Sequence, residues 1–175
     1  MIEKYLRLQA AVYRLEKVIA ALLMLLISGV VLAGVFSRYL LAEPFFGTDR
    51  LATYLFVVLT FWGIQMASGY QEHIVVGVVR HWLSPFWQAI STAAACGVTA
   101  GFLTYLAWAG YGFVRFLYES GEKDIVLQMP LWVVYSFFVL AALVSAFRYL
   151  MGAILWVAVA RGRLLPEAFQ RKVLV

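Results

Sequence analysis

The sequence predicts an all-α integral membrane protein: four transmembrane helices with an N-terminal amphipathic interfacial helix. Three observations carry this. Of 175 residues, 65% are hydrophobic and 13% charged, whereas a soluble domain is about half apolar and a quarter charged. Four segments are long and apolar enough to cross a hydrocarbon core of roughly 30 Å, which takes about twenty helical residues. Lysine and arginine gather at both ends of the chain. The length fits one compact bundle, a single membrane domain over residues 1–175.

Residues 1–17 come first. Tyr5, Leu8, Val12, Leu15 and Ile19 recur at spacings of three and four, and Lys4, Arg7, Arg14 and Lys17 fall largely off that stripe. The pattern predicts a helix lying in the interface, its basic residues on anionic membrane lipids. A plain N-terminal extension of the first span is the alternative. The first span is 18–37, too long and too far from the start for a removable signal peptide. The second is 51–69. The third is 86–108, with room to continue toward Leu117. The fourth is 131–159, about 44 Å by helical rise, so it should tilt or project.

Orientation follows from basic residues in the loops. Lys4, Arg7, Arg14 and Lys17 precede the first span, and Arg161, Arg163, Arg171 and Lys172 follow the last. Both termini are therefore expected in the cytoplasm. The stretch "SRYLLAEPFFGTDRLATY", Ser37 to Tyr54, and the acidic "YESGEKD", Tyr118 to Asp124, then share the outer face. The loop carrying His73, Arg80 and His81 lies inside.

Several residues are candidates for function. Arg38, Asp49 and Arg50, with Glu122 and Asp124, form a mixed-charge outer surface suited to a protein partner. The competing reading is that the island only ends helices, with Pro44 and Gly47 as breakers and Thr48 and Asp49 starting the next helix. Ala93, Gly97 and Gly101 recur every four residues, a spacing that lets helix backbones approach closely in lipid. His73 sits beside a loop and is expected at an interface, without the partners a metal or haem site needs. Arg148 falls within the fourth span, near its inner end. It is expected to snorkel or to contact a partner helix or lipid phosphate. Cys96, the single cysteine, cannot form an intrachain disulfide and is expected to be a small packing residue.

Catalytic chemistry and nucleic-acid binding find no support in these patterns. The aromatic residues lie inside apolar spans, and the Asp and Glu residues fall outside the middle of the spans. No cofactor is expected, and the chain is not expected to be an enzyme. A proton-driven exporter would ordinarily need an intramembrane acid.

The arrangement resembles the small membrane subunit of tripartite ATP-independent periplasmic (TRAP) transporters, the DctQ-like family. Arg38 and Tyr39 match an Arg-Tyr at the end of the first span. Gly63, Ala67 and "EHIVV", Glu72 to Val76, match the second span and the turn after it. "LQMPLWVVY", Leu127 to Tyr135, is similar to the family's Ile-Pro-x-Trp start of the last span. Where the family has Trp-x-Glu-Glu, this chain has Gly47, Thr48, Asp49 and Arg50, so one acid remains. The resemblance implies a partnership with a large membrane subunit that holds the substrate and sodium sites, and with a periplasmic substrate-binding protein. It implies sodium-coupled uptake of an organic acid across a bacterial inner membrane, with the small subunit as scaffold and docking aid. A cofactor-free anchor subunit of an oxidoreductase complex is the alternative, as is a self-contained channel or exporter.

Overall fold

No proline or glycine precedes Gly29, so nothing interrupts helix between the basic N-terminal segment and the first apolar run. The computed structural model, which describes residues 2–40, 46–70 and 84–162, accordingly shows one continuous helix, α1 (Ile2–Leu40). The separate interfacial helix expected over 1–17 is replaced by an N-terminal extension of the span. At 39 residues, α1 is about 58 Å long, well beyond the bilayer core.

Gly47 then turns the chain at φ 89°, where a side chain would be strained. Its carbonyl accepts the Leu51 N–H at 2.9 Å. Helix α2 (Thr48–Tyr70) follows with Asp49 in its first turn, where a carboxylate meets the positive end of the dipole. Helix α3 (Pro85–Ser120) starts on a proline, whose missing N–H costs nothing at that position. It ends at Gly121, whose left-handed backbone lets its N–H reach the Tyr118 carbonyl at 3.3 Å. Helix α4 (Leu131–Ala160) completes the four among the described residues. All four are long and apolar enough to cross a membrane.

The helices pack mainly side by side in a row. Packing is most extensive between α3 and α4; α2 lies against α4, and α1 against α2. The order across the row is therefore α1–α2–α4–α3, with α1 and α3 at the edges. The α3–α4 hairpin is antiparallel: Tyr118 stacks edge-on with Trp132 at 5.6 Å, and Phe113 with Tyr135 at 5.3 Å. Its seam is built from small residues. Ala89, Ala93, Cys96, Ala100, Ala107 and Gly110 are buried along α3, and Ala141, Ala142, Ser145 and Ala146 are buried along α4. Without a hydrophobic force between helices in lipid, such close approach supplies the attraction. Gly110 marks a close approach, since a Cβ there would lie 2.7 Å from the Phe138 ring.

Candidate functional site

Polar side chains gather at the two ends of the row. At the first end, the α1–α2 and α3–α4 connections meet: a Cβ on Gly47 would touch Leu127 at 2.9 Å. Arg38 donates to Asp49 Oδ2 at 3.1 Å. Both side chains are largely exposed, at 56% and 84%, so the pair is screened and weak. Arg50 and Glu122 are exposed at the same end, and Arg115 pairs with Glu119 one helical turn away at 2.7 Å.

Asp124 departs from this group. Expected as a surface charge for a partner, it is buried at 8% exposure. One oxygen accepts the Val126 and Leu127 N–H groups at 2.9 and 2.8 Å, and the other accepts the Tyr54 hydroxyl at 2.6 Å. Its own N–H reaches the Met129 carbonyl, and its carbonyl accepts the Gln128 N–H. Asp124 thus folds the 121–130 turn and ties it to α2. The Tyr54 hydroxyl, then the backbone N–H of Leu127, hold its carboxyl below the usual carboxylate range.

The second cluster lies at the opposite end. Gln65 is 17 positions after Thr48 in α2, about 26 Å along the helix. Here Glu16 of α1, Gln65 of α2 and Arg148 of α4 converge, at 3%, 8% and 5% exposure. Glu16 Oε1 accepts from Gln65 Nε2 at 2.9 Å and from an Arg148 guanidinium nitrogen. The other terminal nitrogen of Arg148 donates to the Gln65 carbonyl at 2.8 Å. Trp62 Nε1 donates to the Glu16 carbonyl at 3.1 Å. Glu16 Oε2 is buried with no hydrogen-bond partner among the described residues.

This cluster corrects the expectation for Arg148. Its guanidinium turns into the chain, onto Glu16, and not outward to lipid or a partner helix. Desolvation explains the choice: a guanidinium buried in this chain needs a counter-charge. A first span starting at Val18 leaves Glu16 outside it. A signal was present. Residues 16, 20, 23, 27, 30, 34 and 37 form a three-four stripe that turns toward α2, and Glu16, Ile27, Gly34 and Ser37 on it are buried. An intramembrane arginine calls for an acid, and Glu16 is the acid on that stripe.

Of the predicted small-residue stripe, Ala93 is buried in the α3–α4 seam. Gly97 and Gly101 face open space, with nothing within 4 Å of a Cβ built on either. His73 lies outside the described residues. Glu16 is paired with Arg148, and Asp124 is engaged by its turn.

Comparison with known proteins adds to this geometry. The family described as "Tripartite ATP-independent periplasmic transporters, DctQ component" matches residues 27–159. The chain is also similar to a protein of Halomonas elongata described as "Ectoine TRAP transporter small permease protein TeaB". The two are 27% identical over 141 residues, which cover 81% of this chain and 73% of that one.

Proposed function

The chain belongs to the DctQ component family of tripartite ATP-independent periplasmic transporters, and from that premise we propose how it serves such a transporter. It is a multi-pass subunit of the bacterial inner membrane, a transporter component. Its role is to brace a large transport subunit and to help dock a periplasmic substrate-binding protein during sodium-coupled uptake. The substrate class is an organic acid; the Halomonas relative is named for ectoine. Both termini face the cytoplasm, which puts Arg38, Asp49, Arg50 and Glu122 on the periplasmic side. The basic segments at the two ends meet membrane lipids, and nucleic acid is no partner.

The observation that carries this reading is the open row. Each helix keeps broad apolar faces uncovered, among them Leu22, Leu25 and Leu32 on α1 and Val98, Phe102 and Trp108 on α3. A row one helix thick suits a wall laid against a larger subunit. The buried acid, Glu16, is committed to Arg148, so it serves packing and not a translocated ion. The family match favours this reading over an oxidoreductase anchor.

Reconstitution tests it. Liposomes would hold this chain alone, the large subunit alone, or both, with binding protein outside and an inward sodium gradient. Uptake is expected only with both subunits. Robust uptake by this chain alone would refute the scaffold role.

A further inference from the structure

The seam that holds α1 to α2 is apolar along most of its length, and so are the other faces of α1. Leu22, Leu25, Leu26, Val31, Leu32 and Phe36 are exposed there. In water, an apolar stripe would orient such a helix. In lipid that preference fades, because the surroundings are as apolar as leucine. Away from the close contact of Gly34 with Thr48, sliding α1 by one turn of about 5.4 Å exchanges one aliphatic stretch of the seam for another. The α3–α4 hairpin has no such freedom, because Phe138 fills the space that Gly110 leaves open.

Glu16 removes the degeneracy of α1. Thr48 lies against Gly34, where a built Cβ would be 3.0 Å from the Thr48 hydroxyl. Glu16 lies 18 positions before Gly34, and Gln65 lies 17 positions after Thr48. One straight antiparallel register therefore satisfies both contacts. A one-turn slide carries Glu16 past Gln65 and Arg148 together and leaves a carboxylate and a guanidinium buried apart. Glu16 Oε2 meanwhile has no partner among the described residues. A polar group that selects a register accepts such a cost.

We propose that Glu16, Gln65 and Arg148 form a register lock. They set the depth and rotation of α1 against α2 and α4, while the apolar seam supplies the adhesion. This goes beyond the scaffold role: it concerns how the edge helix finds its seat within the chain, whether or not a large subunit is present.

Cysteine cross-linking in native membranes reads the register directly. The full chain would carry Cys96→Ala, which removes the single native thiol. Gly34→Cys with Thr48→Cys reports the native seat, since the Cβ at 34 would lie 3.3 Å from that of Thr48, close to disulfide spacing. Val30→Cys and Arg38→Cys, each with Thr48→Cys, report slides of one turn in either direction. With the lock intact, only the 34/48 pair should cross-link. The lock is then removed without stranding a charge, by Glu16→Leu with Arg148→Leu. That chain should still accumulate, and a displaced pair should now cross-link about as well as 34/48. Retention of 34/48 alone in the double-leucine chain would overturn the proposal, because the apolar seam would be choosing the register. Failure of that chain to accumulate would overturn it too, because the charges would be supplying the adhesion.

Discussion

The tight point of the α3–α4 seam makes a quantitative forecast from one methyl group. Gly110→Ala would put a carbon 2.7 and 2.9 Å from two ring atoms of Phe138 and 3.2 Å from a methyl of Val139. Carbon atoms rest at about 3.5–4.0 Å, so the ring must retreat by nearly 1 Å. It cannot swing away freely, because its other side meets Phe61 at 5.2 Å between centroids. Overpacking of this kind costs about 1–3 kcal/mol. Alanine's better helix propensity recovers at most about 1 kcal/mol, and less where lipid already enforces helix. The net loss is about 1–2 kcal/mol, a factor of roughly 5–30 in the folded ratio. Gly101→Ala is the matched control, since its Cβ meets open space. Unfolding of the purified chain in mixed micelles with rising SDS would give both midpoints. Gly110→Ala should unfold earlier, Gly101→Ala at or slightly beyond the wild-type midpoint, and Phe138→Leu should lose less in the Gly110→Ala background than alone. Equal midpoints for the two alanine variants would refute the close-approach argument.

Two further outcomes concern the opposite faces of the charge question. Asp124 has a depressed pKa, so its contribution to stability is present above the ordinary carboxylate pKa and is lost as pH falls through the lower folded value. Asp124→Asn should therefore be less stable than wild type at neutral pH, and the gap should close in strong acid; a gap independent of pH would contradict the ionised hub. Asp49→Lys with Glu122→Lys should leave the unfolding midpoint nearly unchanged, exposed pairs contributing below about 1 kcal/mol, yet raise the binding-protein concentration needed for half-maximal uptake, most at low salt. An unchanged concentration dependence, with the subunit complex intact, would mean the island only ends helices.

The four spans were legible because an apolar run of about twenty residues is hard to place except in lipid. The seat of residues 1–17 was not. A stripe of Tyr5, Leu8, Val12 and Leu15 with lysines and arginines off it suits an interfacial helix and a projecting extension equally, and what decides is the missing break before Gly29. Starting the first span at Val18 cut Glu16 away from the helix that buries it. Arg148 was legible as a charge inside an apolar helix, but its counter-charge lies 132 positions away in sequence, beyond any local pattern. Asp124 sat in a run of surface-like charges, and its capping of two N–H groups just ahead depends on turn geometry that composition does not carry. The helix order across the row was likewise unreadable, because all four helices are apolar on most faces.

The two polar ties on α2 together give the row a torsional stiffness. Tyr54 binds Asp124 at one level, and Gln65 binds Glu16 and Arg148 at another. The two positions are 11 residues apart, about three full turns of helix, so they share one face. A roll of about 30° moves a side-chain tip 5–6 Å from the axis by about 3 Å, enough to break a hydrogen bond. It would break both ties at once, at different depths and to different neighbours. A helix pinned at one level can pivot; one pinned at two levels on one face resists twisting along its length. Helix α2, between α1 and α4, can therefore pass a sideways push from α4 to α1 without turning under it.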